Sequence, residues 1–181
     1  AQVRLEITAD EKSALDLINL ERKKEGLDPF LPNSKLFSAA RGHARNMAAQ
    51  KKMSHELDGK GMPERVNETK YQSFGIGENI TVRASPVDAV AAWMASKAGH
   101  RETILAPKYD HPLSGRKPAA FDEAGVGVSN GYWCLVVGAG KLALENPTLV
   151  VSGKVTIPEV VIKPKEEPKD KTGRLSIAKG G

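Results

Sequence analysis

Gly125-Val126-Gly127-Val128-Ser129-Asn130-Gly131-Tyr132-Trp133-Cys134-Leu135-Val136-Val137 is two β-type runs meeting at Asn130-Gly131. Asn-Gly supplies the two positive-φ residues of a two-residue hairpin turn, so the stretch predicts an antiparallel pair. Cys134 is the chain's single cysteine. Within this apolar run it reads as a small buried side chain. An intrachain disulfide and a cysteine-based zinc cluster are both excluded.

Upstream of the hairpin the periodicity changes to helical. Thr8-Ala9-Asp10-Glu11 is a capping box, with the acid three residues after the threonine. It predicts a helix carrying Ala14, Leu17, Ile18 and Leu20, stopped at Gly26. Pro29 and Pro32 keep the next segment extended. Asn33 or Ser34 caps a second helix whose inner stripe is Leu36, Ala40, His43 and Met47. Residues 51–74 read as irregular, with a short helix near Pro63–Asn67, and Ile80-Thr81-Val82 as a brief strand. Ser85-Pro86 starts a helix with Val87, Val90, Ala91 and Met94 inward. A short helix follows Gly99 through Leu105. Helices first and antiparallel strands last predict an α+β layered domain, as opposed to a doubly wound parallel sheet.

The domain is expected over residues 1–145. Residues 146–157, with Leu149-Val150-Val151 and Val155-Thr156-Ile157, could add edge strands. Residues 158–181 are a Pro/charge-rich linker or tail, too poor in apolar surface to fold alone. Residues 106–119 hold three prolines and read as a loop.

The chain has 181 residues, 40% hydrophobic and 5% aromatic, with a net charge of +5. Residues 146–181 carry seven Lys/Arg against four Asp/Glu, so most of the excess lies in the tail. No basic stripe interleaves with aromatics, which argues against nucleic acid. No apolar run approaches the ~20 residues of a membrane-spanning helix.

Asn19-Leu20-Glu21-Arg22, His43 with Met47, Ser54-His55, Gly77-Glu78-Asn79-Ile80, Trp93-Met94-Ala95-Ser96, Gly99-His100-Arg101, Ile104-Leu105 and Gly125-Val126-Gly127 stand in one order along the chain. In this order they resemble a bacterial CAP domain, from the superfamily of cysteine-rich secretory proteins, antigen 5 and class-one pathogenesis-related proteins. The resemblance covers roughly residues 9–138. It implies a three-layer α-β-α sandwich with a central antiparallel sheet, and export from the cytoplasm. It also implies a cleft of two histidines and two glutamates, often able to hold zinc or another divalent ion.

The resemblance places the first histidine on His55, the first glutamate on Glu78 and the second histidine on His100. The second glutamate falls on Ser96. Glu102 or Glu123 could fill in, though no motif assigns either. Residues 108–120 look like an insertion beside the cleft, a candidate lid or recognition surface.

Two imidazoles suit zinc, and an open site needs about three protein ligands plus water. Glu78 could be the third ligand or could orient an imidazole from outside. The bland reading is that both histidines are simply hydrogen-bonded cleft residues. If there is catalysis, Glu78, His55 and His100 would carry it, Glu78 as general base toward a water. There is no His-Glu-x-x-His signature, and no nucleophile elbow surrounds Ser54 or Ser96. His43 and Trp93 read as core, His111 as solvated, Asn79 as an Asx-type tie of a loop bearing Glu78, Arg101 as a cleft-edge or solvated residue. Arg65 matches an arginine common in bacterial members and takes no role here.

The function expected is a binding module with a divalent metal in a His/Glu cleft, its outside ligand a small molecule, lipid or protein. The alternatives are a metal-dependent, peptidase-like hydrolase, and an interaction domain with a vestigial cleft.

Overall fold

A computed structural model describes residues 3–106, 121–142, 145 and 147–154. Of the expected loop at 106–119 all but Ala106 lies outside these residues, as do the insertion with His111, the strand at Val155–Ile157 and the tail.

The elements are β1 (Arg4–Thr8), α1 (Ala9–Lys24), β2 (Leu31–Pro32), α2 (Ser34–Gln50), α3 (Met62–Glu68), β3 (Ser73–Val82), α4 (Pro86–Ala95), α5 (His100–Leu105), β4 (Glu123–Ser129), β5 (Tyr132–Gly140) and β6 (Thr148–Ser152). The main sheet has the order β2-β4-β5-β3. Its long pairs are antiparallel, while the two-residue β2 joins β4 in parallel. A separate two-stranded sheet pairs β1 with β6 in parallel.

The hairpin forms as its turn residues dictate. Asn130 and Gly131 take φ of 48° and 78°, and Ser129 pairs with Tyr132. Strand β5 then sorts its side chains by period two. Trp133, Leu135 and Val137 enter one apolar cluster with Leu15, Ile18, Val90, Trp93 and Ile104 of α1, α4 and α5. Cys134 and Val136 enter a second, with Leu36, Ala40, Met47 and Val66 of α2 and α3. The sheet is thus covered on both faces: an α-β-α sandwich.

Two glycines of β4 set how closely α2 approaches. A Cβ on Gly125 would stand 2.1 Å from the carbonyl carbon of Leu36, and one on Gly127 2.4 Å from the amide of Arg41. The helix backbone rests directly on the strand.

Local caps fix where helices begin and end. Thr8 and Glu11 exchange the reciprocal bonds of the capping box. Buried Glu11 also accepts two bonds from Arg41, at 2.7 and 2.6 Å, tying α1 to α2. Gly26, at φ 71°, ends α1, with Leu27 N–H on Arg22 C=O and Gly26 N–H on Lys23 C=O, a Schellman closure. Asn33 is the cap of α2.

Three expectations are corrected. Glu78 and Asn79 lie inside a ten-residue strand and not on a loop before a brief one. Helix α4 buries Ala89, Val90 and Trp93, whereas Val87 and Ala91 face solvent. The bulk of Trp93 rotates the buried stripe by about one residue, ~100°. The sequence pattern places no strand ahead of α1, yet β1 is one, with Leu5 and Ile7 buried.

Candidate functional site

The site straddles the outer edge of β3. Glu78 projects toward the α2/α3 layer, and its side chain is 2% exposed. Three groups hold it there. His55 Nδ1–H donates to Oε1 at 2.8 Å. Arg65 donates from Nη2 to Oε2 at 2.5 Å. The buried Cys134 thiol donates to Oε2 at 3.5 Å. A carboxylate this deeply buried needs such partners.

Arg65 is the residue to which the sequence pattern gives no role. It sits on α3, whose first turn is pinned by Gly61 N–H on Glu64 Oε2 at 3.0 Å. The Arg65 guanidinium also donates to the carbonyls of His55 and Lys60, each at 2.9 Å. One side chain therefore fixes both the carboxylate of Glu78 and the backbone of His55. Only the partner distances reveal this; no spacing in the chain encodes it.

His43 backs the same segment. It is wholly buried on α2, and its Nε2–H donates to Ser54 C=O at 2.9 Å. The expected core reading is correct, and the ring has a second role, holding the chain next to His55. Its Nδ1 is buried without a partner among the described residues.

Burial keeps His43 neutral below the ordinary imidazole value of 6.5; the Glu78 charge opposes the shift and the Arg65 charge favours it. The unfolded chain takes up its proton near 6.5, while the folded chain waits for lower pH. Stability from this group is therefore complete above pH 6.5 and is lost as pH falls from there through the folded value. Urea midpoints measured from pH 7.5 to 5.0 should decline for the wild type and decline less for His43→Gln.

Across the edge of β3, His100 opens α5. Its Nδ1 shares a 3.0 Å hydrogen bond with Ser96 Oγ, the hydroxyl where the resemblance would place a glutamate. Asn79 does not form a local Asx turn. Its Nδ2 donates to His100 C=O at 2.8 Å, a bond spanning 21 residues that ties β3 to α5. His100 is disfavoured as a cation by burial first and by the His55 charge second. Each imidazole is gripped at Nδ1, leaving Nε2 as its remaining ring nitrogen. His55 is open to solvent, its side chain 58% exposed.

Neither alternative acid joins the site. Glu123 is buried on β4, two strands away from β3, accepting from Tyr71 Oη and Asn33 Nδ2 at 2.8 Å each and from the Glu145 amide at 2.9 Å. The burial and charge of this cluster push the Tyr71 hydroxyl far above its ordinary pKa. Glu102 is exposed on α5 and reaches His100 only as a distant charge. Arg101 pairs with Glu25 at 3.5 Å on the surface.

Residues 15–111 match the CAP family, the cysteine-rich secretory protein family, over more than half of the chain. The chain belongs to the CAP family. Two curated Bacillus subtilis proteins are similar to this CAP domain: YkwD, 35% identical over 58% of this chain and 41% of its own length, and the membrane protein YlbC, 30% identical over 70% and 33%. The chain thus spans less than half of either relative. Among solved structures, an extracellular SCP-domain protein of Bacillus anthracis superposes with a TM-score of 0.62 at 23% identity, covering 71% of this chain and 40% of its own. An outer surface protein of Borrelia burgdorferi gives 0.58 at 18%, covering 73% and 93%. A cysteine-rich secretory protein of Staphylococcus aureus gives 0.56 at 21%, covering 72% and 38%. These likenesses support the CAP fold.

Proposed function

We propose that this CAP domain is an extracytoplasmic binding module whose His55 and His100 hold a divalent cation, zinc being the best chemical match. The observation that carries the reading is the grip of Glu78 on His55 Nδ1 at 2.8 Å. A carboxylate behind an imidazole fixes the ring and raises the basicity of its other nitrogen. Ser96 Oγ holds the orientation of the His100 ring through Nδ1 without supplying a charge.

The donor set argues for an open site. Among the described residues no three His, Cys, Asp or Glu side chains are grouped to hold a metal ion. Both oxygens of Glu78 are engaged, so it serves as an orienting group and not as a third ligand. Two imidazoles leave the remaining positions to water or to a donor on an outside ligand. A cation bound there would polarise that water or donor. The residues themselves bind, orient and keep the second nitrogen of each ring available.

Export is supported by the extracellular SCP-domain protein of similar fold. No helix among the described residues is long and apolar enough to cross a membrane.

Zinc titration by calorimetry tests the reading. The wild type should release heat at a one-to-one ratio, and the His55→Ala/His100→Ala double variant should not. Glu78→Gln should weaken binding about 10–100-fold. Affinity should fall at acidic pH, because a protonated imidazole cannot ligate. A wild type without heat would remove the cation, and equal heat in the double variant would put it elsewhere.

A further inference from the structure

Strand β3 ends the main sheet, with β5 as its ladder partner. The Arg83 N–H donates to Gly131 C=O at 2.9 Å, so the main chain of residue 83 faces β5. Along an antiparallel strand, successive residues turn their main-chain groups to opposite sides. Thr81 and Asn79 therefore also face β5, and Val82 and Ile80 turn theirs to the open edge. Among the described residues, the outward carbonyl of Val82 accepts from the side chain of its own neighbour, Arg83, at 2.7 Å. Among the described residues, no group bonds the outward amide or carbonyl of Ile80.

A groove of about 540 Å³ runs along this edge, floored by Ile80, Thr81, Val82 and Arg83. Four consecutive residues line it. A groove on a sheet face would show every second residue, so this one follows the edge itself. Its walls come from opposite layers, Met53 beyond α2 on one side and Trp93 of α4 on the other. Met53 is 54% exposed and Val82 39%, and Trp93 Nε1 is a buried donor without a partner among the described residues. His100 lies along the same groove.

We propose that this edge takes an extended polypeptide segment as an added fifth strand of the sheet. Strand addition supplies main-chain bonds with a two-residue period, and side-chain pockets on alternate positions then give selectivity. The amide and carbonyl of Ile80, a residue 5% exposed and without a main-chain partner on that side among the described residues, and the carbonyl of Val82 ask for that period. An acyl chain would fill the apolar walls and leave those groups without partners, at a desolvation cost. Arg83 is the protecting side chain that an incoming strand displaces, as charged residues guard sheet edges elsewhere. The proposal does not need the cation, although a strand laid here passes beside His100.

The test selects phage-displayed random heptapeptides on the full chain, with Val82→Pro as the counter-target. The Val82 amide faces outward, so proline there removes no bond to β5, and edge strands tolerate it. Enriched peptides should bind Val82→Pro at least tenfold more weakly. N-methylation of every second peptide amide should abolish binding, and N-methylation of the intervening amides should change it less than threefold. Bound peptide should slow hydrogen exchange at Ile80 and Val82 at least tenfold. Chelator should leave the affinity unchanged, which separates this result from the cation's. Failure to enrich any peptide over the counter-target, or N-methyl effects without parity, would overturn the proposal. So would Ile80 and Val82 amides that exchange as slowly as Thr81 in the free protein. If Val82→Pro does not fold, the N-methyl and exchange readouts on the wild type decide.

Discussion

Gly125→Ala and Gly127→Ala are each expected to prevent the domain from folding. Ordinary carbon contacts lie near 3.5–4.0 Å, and the added methyl would sit 2.1 Å or 2.4 Å from main-chain atoms of α2. Those atoms cannot escape by changing rotamer. Helix α2 would have to lift from the sheet, undoing the second apolar cluster and drawing Ser54 and His55 away from Glu78. Overpacking against side chains costs about 1–3 kcal/mol. Here the obstacle is backbone, so we expect more than ~4 kcal/mol, a large part of the ~5–15 kcal/mol that holds a domain together. Circular dichroism in urea should show no cooperative transition, or one shifted to very low denaturant. Gly42→Ala is the control. It lies within α2 with nothing within 4 Å of where the new methyl would stand, and should stabilise by roughly 0.5–1 kcal/mol. A Gly125→Ala protein as stable as the wild type would show that α2 does not rest on β4.

Glu78→Ala is expected to cost about 3–5 kcal/mol. The Arg65 and Glu78 side chains are 11% and 2% exposed, and removing one member of a buried pair strands the other charge. The two carbonyls that Arg65 also holds place the loss toward the low end. Glu78→Gln keeps an acceptor for the ring of His55 and should cost less. The sharper measurement is a double-mutant cycle by urea denaturation. Glu78→Leu combined with Arg65→Leu should be less destabilising than the two single changes summed, because the pair then leaves no orphaned charge. Additive costs would mean that the two side chains stand independently in solution.

The hairpin and the capping box are legible because each rests on local chemistry. Asn130-Gly131 can take positive φ cheaply, and Thr8 with Glu11 satisfies helix-end amides three residues apart. β3 is only half legible. Gly75, Gly77, Glu78 and Asn79 interrupt the apolar alternation, and it is the pairing with β5 that makes the segment a strand. The parallel pairing of β1 with β6 depends on residues 144 apart in register, which no window can show. At the site, His55, Glu78 and His100 can be named by resemblance, and the structure joins His55 directly to Glu78. The grip of Arg65, the support from His43 and the hydroxyl of Ser96 behind His100 are not readable. Each depends on where the chain brings distant segments together.

The parallel course of β1 and β6 has a mechanical consequence. Arg4 lies beside Thr148 and Thr8 beside Ser152, so the chain enters at one end of this ribbon and departs from the other. Tension drawn between those two ends would slide the strands past one another, and all five paired positions would resist together. Had the strands run in opposite directions, the same pull would peel them apart one rung at a time.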